Sequence, residues 1–127
     1  MKLRNIKFKA KRIDNGEWVE GDLIHKETYV CIGYLSSEIP NITRVHRVDP
    51  STVCLFTGLK DCKGNEIWEG DIIRNPEFPF EKRTVTWSNN SSCFMPIDED
   101  GCQDRNFSFL VLFKEWTVVG NKFDKEK

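Results

Sequence analysis

Long apolar runs are missing from this chain: no stretch approaches the roughly 18 consecutive apolar residues of a membrane span. Met1-Lys2-Leu3-Arg4 leads into alternating Lys and apolar residues rather than the apolar core of an export signal. A soluble protein of the cytoplasm, without a membrane partner, is the expectation. Charge of one sign is missing as well. Nineteen basic against 20 acidic residues leave a net charge of −1, which disfavours a duplex-DNA binder that works by bulk phosphate neutralisation. Five cysteines, at 31, 54, 62, 93 and 102, make an odd number without a leader, so a disulfide framework is not expected. Their spacings lack the short gap of a zinc knuckle, and His25 and His46 are not placed to complete one. Buried free thiols and no metal are expected instead. An acid–base pair or an activated nucleophile would have to come from Asp22, His25, His46, Asp71 or a cysteine, and no spacing links them. Hence no catalytic residue, no cofactor and no enzymatic activity are expected.

What is present is enough for a core: 127 residues, 39% hydrophobic and 12% aromatic, about one domain's length or one and a half. The chain is organised around Glu66-Ile67-Trp68-Glu69-Gly70-Asp71-Ile72-Ile73, of which Glu17-Trp18-Val19-Glu20-Gly21-Asp22-Leu23-Ile24 is a diluted earlier copy. In each, Gly can take the positive φ of a sharp turn and the following Asp can accept a backbone N–H. Both copies predict strand, tight turn, strand, and a pseudo-symmetric pair of β units would follow from them.

Nowhere does a helical period with caps run over ten residues or more, while period-2 alternation is frequent. Ile6, Phe8 and Ala10 alternate with Lys7, Lys9 and Lys11, a half-buried strand. Its basic face is either a solvated edge that resists aggregation or a strip that faces phosphates. Asp14-Asn15-Gly16 predicts a hairpin turn of type I′, with Trp18 and Val19 starting the return strand. Short strands follow at 23–24 and 29–34, with Gly33 at a bulge or bend. Residues 35–41 have a loop composition, and residues 42–48 carry charge on both faces, as an edge or interface strand does. Asp49-Pro50-Ser51-Thr52 predicts a single helical turn with Asp49 as its cap.

A short strand at 53–56 leads into a turn-rich stretch, 57–65, that delivers the organising motif. Residues 75–80, with Pro76 and Pro79, predict an extended loop. Alternation resumes over 82–87, a turn follows at 88–92 and a strand at 93–97. Asp98-Glu99-Asp100-Gly101 resembles the start of a calcium loop, but Cys102 and Phe109 stand where later oxygen ligands belong. Residues 107–113 fit strand or helix, and 116–123 close the chain with a strand. The prediction is all-β, with turns every eight to twelve residues or so.

The run Leu55-Phe56-Thr57-Gly58-Leu59-Lys60-Asp61-Cys62-Lys63-Gly64-Asn65-Glu66-Ile67-Trp68-Glu69-Gly70-Asp71-Ile72-Ile73 closely resembles the YopX family of phage and prophage proteins. Its hallmark residues here are Thr57, Gly58, Lys60, Asp61, Gly64, Glu69, Gly70 and Asp71. The likeness extends weakly to Ile6-Lys7-Phe8-Lys9-Ala10, Val48-Asp49-Pro50 and Val118-Val119-Gly120-Asn121, and departs at Cys62, where members more often carry a polar residue. The resemblance implies one YopX-like domain over 1–127. Within it, N-terminal β-strands over 1–52 precede a small SH3-like β-barrel over 53–123, and a charged tail, 124–127, ends the chain. It further implies a bacterial host and self-association, and it brings no catalytic residue or cofactor.

Two functions follow as expectations. One is a non-enzymatic module that docks a protein partner or its own copies through the edge strand at 42–48. The other is a single-stranded nucleic-acid binder that sets Lys7, Lys9 and Lys11 beside Trp87 or Trp116, with the acidic balance against it.

Overall fold

A computed structural model of the chain describes residues 5–75, 78–89, 93–97 and 116–124, with backbone alone over 78–81. The turn expected at 98–101 and the segment 107–113 lie outside the described residues, as do most of the turn at 88–92 and residues 125–127 of the tail. All described pairings are antiparallel, so the chain is all-β. It divides into two compact units, residues 1–56 and 57–127.

In the first unit β1 (Phe8–Lys11), β2 (Trp18–His25), β3 (Val30–Leu35) and β4 (Thr43–Val48) lie side by side in the order β4-β3-β2-β1, and the first residues of β5 (Cys54–Lys60) pair with β1. The alternation read from the sequence sets the faces. Ala10, Val19, Ile32 and Val48 are buried together, and Phe8, Leu23, Val30, Tyr34 and Val53 pack around them. Burying each Ile- or Val-sized side chain contributes about 1.5–3 kcal/mol. Between β4 and β5 the expected helical turn forms as Pro50–Thr52: Asp49 accepts the Ser51 N–H at 3.0 Å, and Thr52 accepts the Lys11 N–H at 2.9 Å.

Three local expectations are corrected in this unit, and a fourth, on the cysteines, concerns the whole chain. Gly21 lies inside the continuous strand β2, not in a turn, and Asp22 is an exposed strand residue paired with Gly33. Glycine is needed there because a Cβ at Gly21 would run into the carbonyl oxygen of Gly33 on the neighbouring strand. Gly33 itself keeps regular register with Asp22 and Val45, so it marks close packing rather than a bulge. The first hairpin has a four-residue loop closed by Arg12 and Glu17, whose N–H and C=O meet at 2.9 Å; only Gly16 is left-handed, at φ 72°, so it is not a type I′ turn. The cysteines are mixed: Cys31 and Cys54 are buried, whereas Cys62 of the second unit and Cys93 are exposed.

The second unit continues β5 through the Asp61–Asn65 loop into β6 (Glu66–Trp68), followed by β7 (Asp71–Asn75), β8 (Phe78–Ser88), β9 (Cys93–Ile97) and β10 (Thr117–Asn121). The last four form a sheet in the order β10-β7-β8-β9 over a core of Ile67, Ile73, Val85 and Trp116. The stretch 57–60, expected as turn, is strand; so are Asn75 and 78–80, expected as loop. Strand β8 begins immediately after the Pro76-Glu77 segment and absorbs Pro79. Among the described residues these pairings leave the four-stranded sheet open between β10 and β9, so they do not close the SH3-like barrel that the resemblance implies.

Candidate interaction edge

The hallmark residues of the second unit work as a scaffold. Asp61 is 6% exposed and its carboxylate accepts four hydrogen bonds: Lys63 N–H (2.9 Å) and Asn65 N–H (2.8 Å) on Oδ1, the Asn65 amide (3.0 Å) and Val118 N–H (2.9 Å) on Oδ2. One aspartate therefore fixes the β5–β6 loop and ties it to β10. Gly64 closes that loop at φ 86°, Lys60 is exposed, and the Thr57 hydroxyl donates to the Ile67 carbonyl at 2.6 Å.

Gly70 makes the sharp turn expected of it, at φ 84°. Asp71, 2% exposed, accepts Trp68 N–H at 2.7 Å, as the turn reading requires, and accepts the Asn121 amide at 2.9 Å. Asn121 also donates to the Glu69 carbonyl at 3.3 Å. Sequence reading missed that bridge: beside Gly120, Asn121 carries the signal of a turn residue, and nothing local shows that its side chain serves a turn far earlier in the chain.

The second feature is the outer edge of β4 in the first unit. Among the described residues β4 is an edge strand, as its charge pattern suggested: it pairs along its length with β3 and meets only residues 11–13 on its outer side, and its exposed residues include Thr43, Arg44, Val45 and Arg47. Its backbone directions follow from two contacts. Ile42 C=O accepts Ser36 N–H on the β3 side at 2.7 Å, whereas Arg47 C=O accepts Ile13 N–H on the outer side at 3.1 Å. With a period of two, the N–H and C=O groups of Thr43 and Val45 therefore point outward. The chain 11–13 covers only the Val48 end, through the Arg12–Val48 bridge and an Asp49 N–H to Lys11 C=O bond of 2.8 Å. Around the uncovered part stand exposed apolar side chains: Val45 at 50%, Ile13 at 57% and Leu35 at 72%. On the opposite face His46 Nε2 meets the Tyr34 hydroxyl at 3.0 Å.

The lysines in and just before β1 do not stand free. Lys9 and Lys11 lie 4.6 and 5.4 Å over the ring of Trp18, and Lys7 lies 4.7 Å over Phe56 and 3.7 Å from Glu20. Trp87 belongs to the second unit, is 43% exposed and packs edge-on against Phe94. Trp116 is 1% exposed and part of the core, so it is no stacking platform. Among the described residues neither histidine has a carboxylate or cysteine partner: His46 meets Tyr34, and His25 ends β2 exposed. No group of three His, Cys, Asp or Glu side chains among the described residues could hold a metal ion, and no helix among them is long and apolar enough to cross a membrane.

The family model described as YopX protein matches residues 7–126. The chain belongs to the YopX family. No curated protein matches its sequence.

In this YopX chain the carboxyl of Asp61 gives a pH signature. Burial pushes it up, but the hydrogen bonds from Val118, Asn65 and Lys63 outweigh burial and hold it below its ordinary value of 3.8. A carboxyl lowered by folding contributes stability that is complete above the ordinary value and is lost as pH falls through the lower, folded one. The second unit is therefore expected to melt at progressively lower temperature below pH 3.8, with part of that slope absent in Asp61→Asn. Melting curves read by tryptophan fluorescence check this; an identical slope in the variant contradicts it.

Proposed function

We propose that this protein is a non-enzymatic β module of phage or prophage type that acts in the cytoplasm of a bacterial host. It docks a protein partner or its own copies through β4. The carrying observation is the outward N–H and C=O groups of Thr43 and Val45, an unpaired edge among the described residues that a further strand can extend. Exposed Val45, Ile13 and Leu35 offer apolar area beside it.

Val45→Pro tests the edge directly. It removes an outward donor while leaving the bonds to β3, so the fold is expected to survive within about 1 kcal/mol. Wild type is expected to form species heavier than the 14.9 kDa chain in size-exclusion with light scattering, or to capture a host protein that survives nuclease treatment. Both behaviours are expected to be lost in Val45→Pro. A strict monomer at high concentration rules out self-association, and a captured protein indifferent to Val45→Pro removes the β4 reading.

A second reading has one observation in its favour: Lys9, Lys11 and Trp18 share one face, the pairing of cation and ring that single-stranded nucleic acid uses. Fluorescence anisotropy with labelled oligonucleotides at low ionic strength decides it. The docking reading expects no salt-dependent binding.

A further inference from the structure

The edge of β4 also carries information about what would dock there, and this step rests on the reading just given. The sequence of β4 is Thr-Arg-Val-His-Arg-Val, without a carboxylate. Pairing β4 with β4 of a second copy therefore sets no acid opposite a base in any register. Centred on Val45, an antiparallel pairing places each Arg44 opposite a His46 and each Thr43 opposite an Arg47. Neither pair joins opposite charges, so the favourable cross-strand charge pairing is missing and Arg44 gains no counter-charge.

The two faces flanking the edge differ. On the face of Val48, a shallow recess of about 240 Å³ is lined by Arg12, Tyr34, Arg44 and His46, with Glu38 as its single acid. Arg12 is already held by Asp14, with Nε to Oδ1 at 2.9 Å, whereas Arg44 has no ion pair among the described residues. On the other side, a recess of about 310 Å³ is lined by Ile13, Asp14, Val45, His46 and Arg47, and it holds the only two aliphatic side chains of the two recesses. Arg47 lies 4.6 Å over the Tyr29 ring.

An added strand sends alternate side chains to these two faces. We infer that the occupant of the β4 edge is an extended segment of a different protein in which carboxylate side chains alternate with aliphatic ones: carboxylates toward Arg44 and His46, aliphatic groups toward Val45 and Ile13. Only Thr43 and Val45 offer outward backbone groups on the uncovered part, so backbone pairing is short and the side chains set the choice of partner.

The test is an NMR titration of the full chain with a synthetic peptide of alternating Glu and Val, and with the same peptide carrying Lys in place of Glu. The acidic peptide is expected to shift the amides of Thr43, Arg44, Val45 and His46 and to bind at least about tenfold more tightly than the Lys peptide. Arg44→Glu, an exposed edge substitution, is expected to keep the fold and to narrow or reverse that ratio. Equal binding of both peptides at β4 overturns the acidic occupant while edge docking stands. Binding of neither, with the same amides shifting on self-association, overturns it in favour of a second copy. Binding of neither by a chain that stays monomeric and captures no β4-dependent partner overturns the inference and the docking function together.

Discussion

Asp61→Ala is expected to destabilise the second unit by roughly 2–4 kcal/mol, in urea unfolding followed by tryptophan fluorescence. The truncation leaves three backbone N–H groups and the Asn65 amide without their acceptor. Lys63 and Asn65 are exposed, and water can take over their bonds. Val118 is half-buried, and its N–H carries the larger share of the cost because rehydration there disturbs the end of β10. Asp61→Asn keeps one acceptor oxygen but turns an amide donor toward donors, so it is expected to fall between wild type and Asp61→Ala. A loss below about 1 kcal/mol in the alanine variant would mean that the β5–β6 loop holds its shape without the carboxylate.

Gly70→Val and Gly21→Val are expected to be the most damaging single changes in their respective units, for different reasons. At Gly70 the backbone stands at φ 84°, a region that a β-branched residue strongly disfavours, and a Cβ would meet the Asn121 amide nitrogen and Lys122 Cε at 3.3 Å. The expected loss is roughly 2–4 kcal/mol. At Gly21 the conformation is ordinary strand, but any side chain meets the Gly33 carbonyl, so β2 and β3 must separate. Asparagine tells the two apart, because it tolerates left-handed backbone. Gly70→Asn is expected to be clearly milder than Gly70→Val, whereas Gly21→Asn is expected to be as damaging as Gly21→Val. Equal costs for Asn and Val at position 70 would contradict a conformational origin there.

That pair of glycines marks where sequence reading stopped. Glu-Gly-Asp occurs twice, and the local signal is the same in both places: a residue free to turn beside a side chain able to accept an N–H. At Gly70 and Asp71 that meaning holds, because Asp71 accepts Trp68 N–H and Gly70 stands at φ 84° between β6 and β7. At Gly21 a neighbouring strand approaches so closely that absence of a Cβ, not freedom of φ, is what the fold uses. Local composition cannot tell these apart, since the difference lies in how closely the next strand, β3, packs against β2. Proline misled in a similar way: Pro79 in a strand reads as a breaker, yet β8 runs through it.

The alternation of Phe8 and Ala10 with the lysines, the edge character of β4 and the Asp49-capped turn were legible, because each rests on periodicity or on contacts a few residues apart. The hallmark residues were legible as a motif, but their purpose was not. Asp61 and Asp71 reach Val118 and Asn121, more than 45 residues later, and only the folded second unit brings those groups together. Among the described residues these hallmarks form a scaffold, and the proposed docking edge lies in β4, a strand outside the organising motif.

Amide hydrogen exchange at Thr43 and Val45 tests the availability of that edge most directly. In dilute monomeric protein both amides are expected to exchange nearly as fast as unstructured chain, while Arg44 and His46, bonded toward β3, are protected; on association or partner binding the two outward amides are expected to slow. Protection of Thr43 and Val45 already present in the dilute monomer would show that the chain itself covers the β4 edge, and would contradict the docking function.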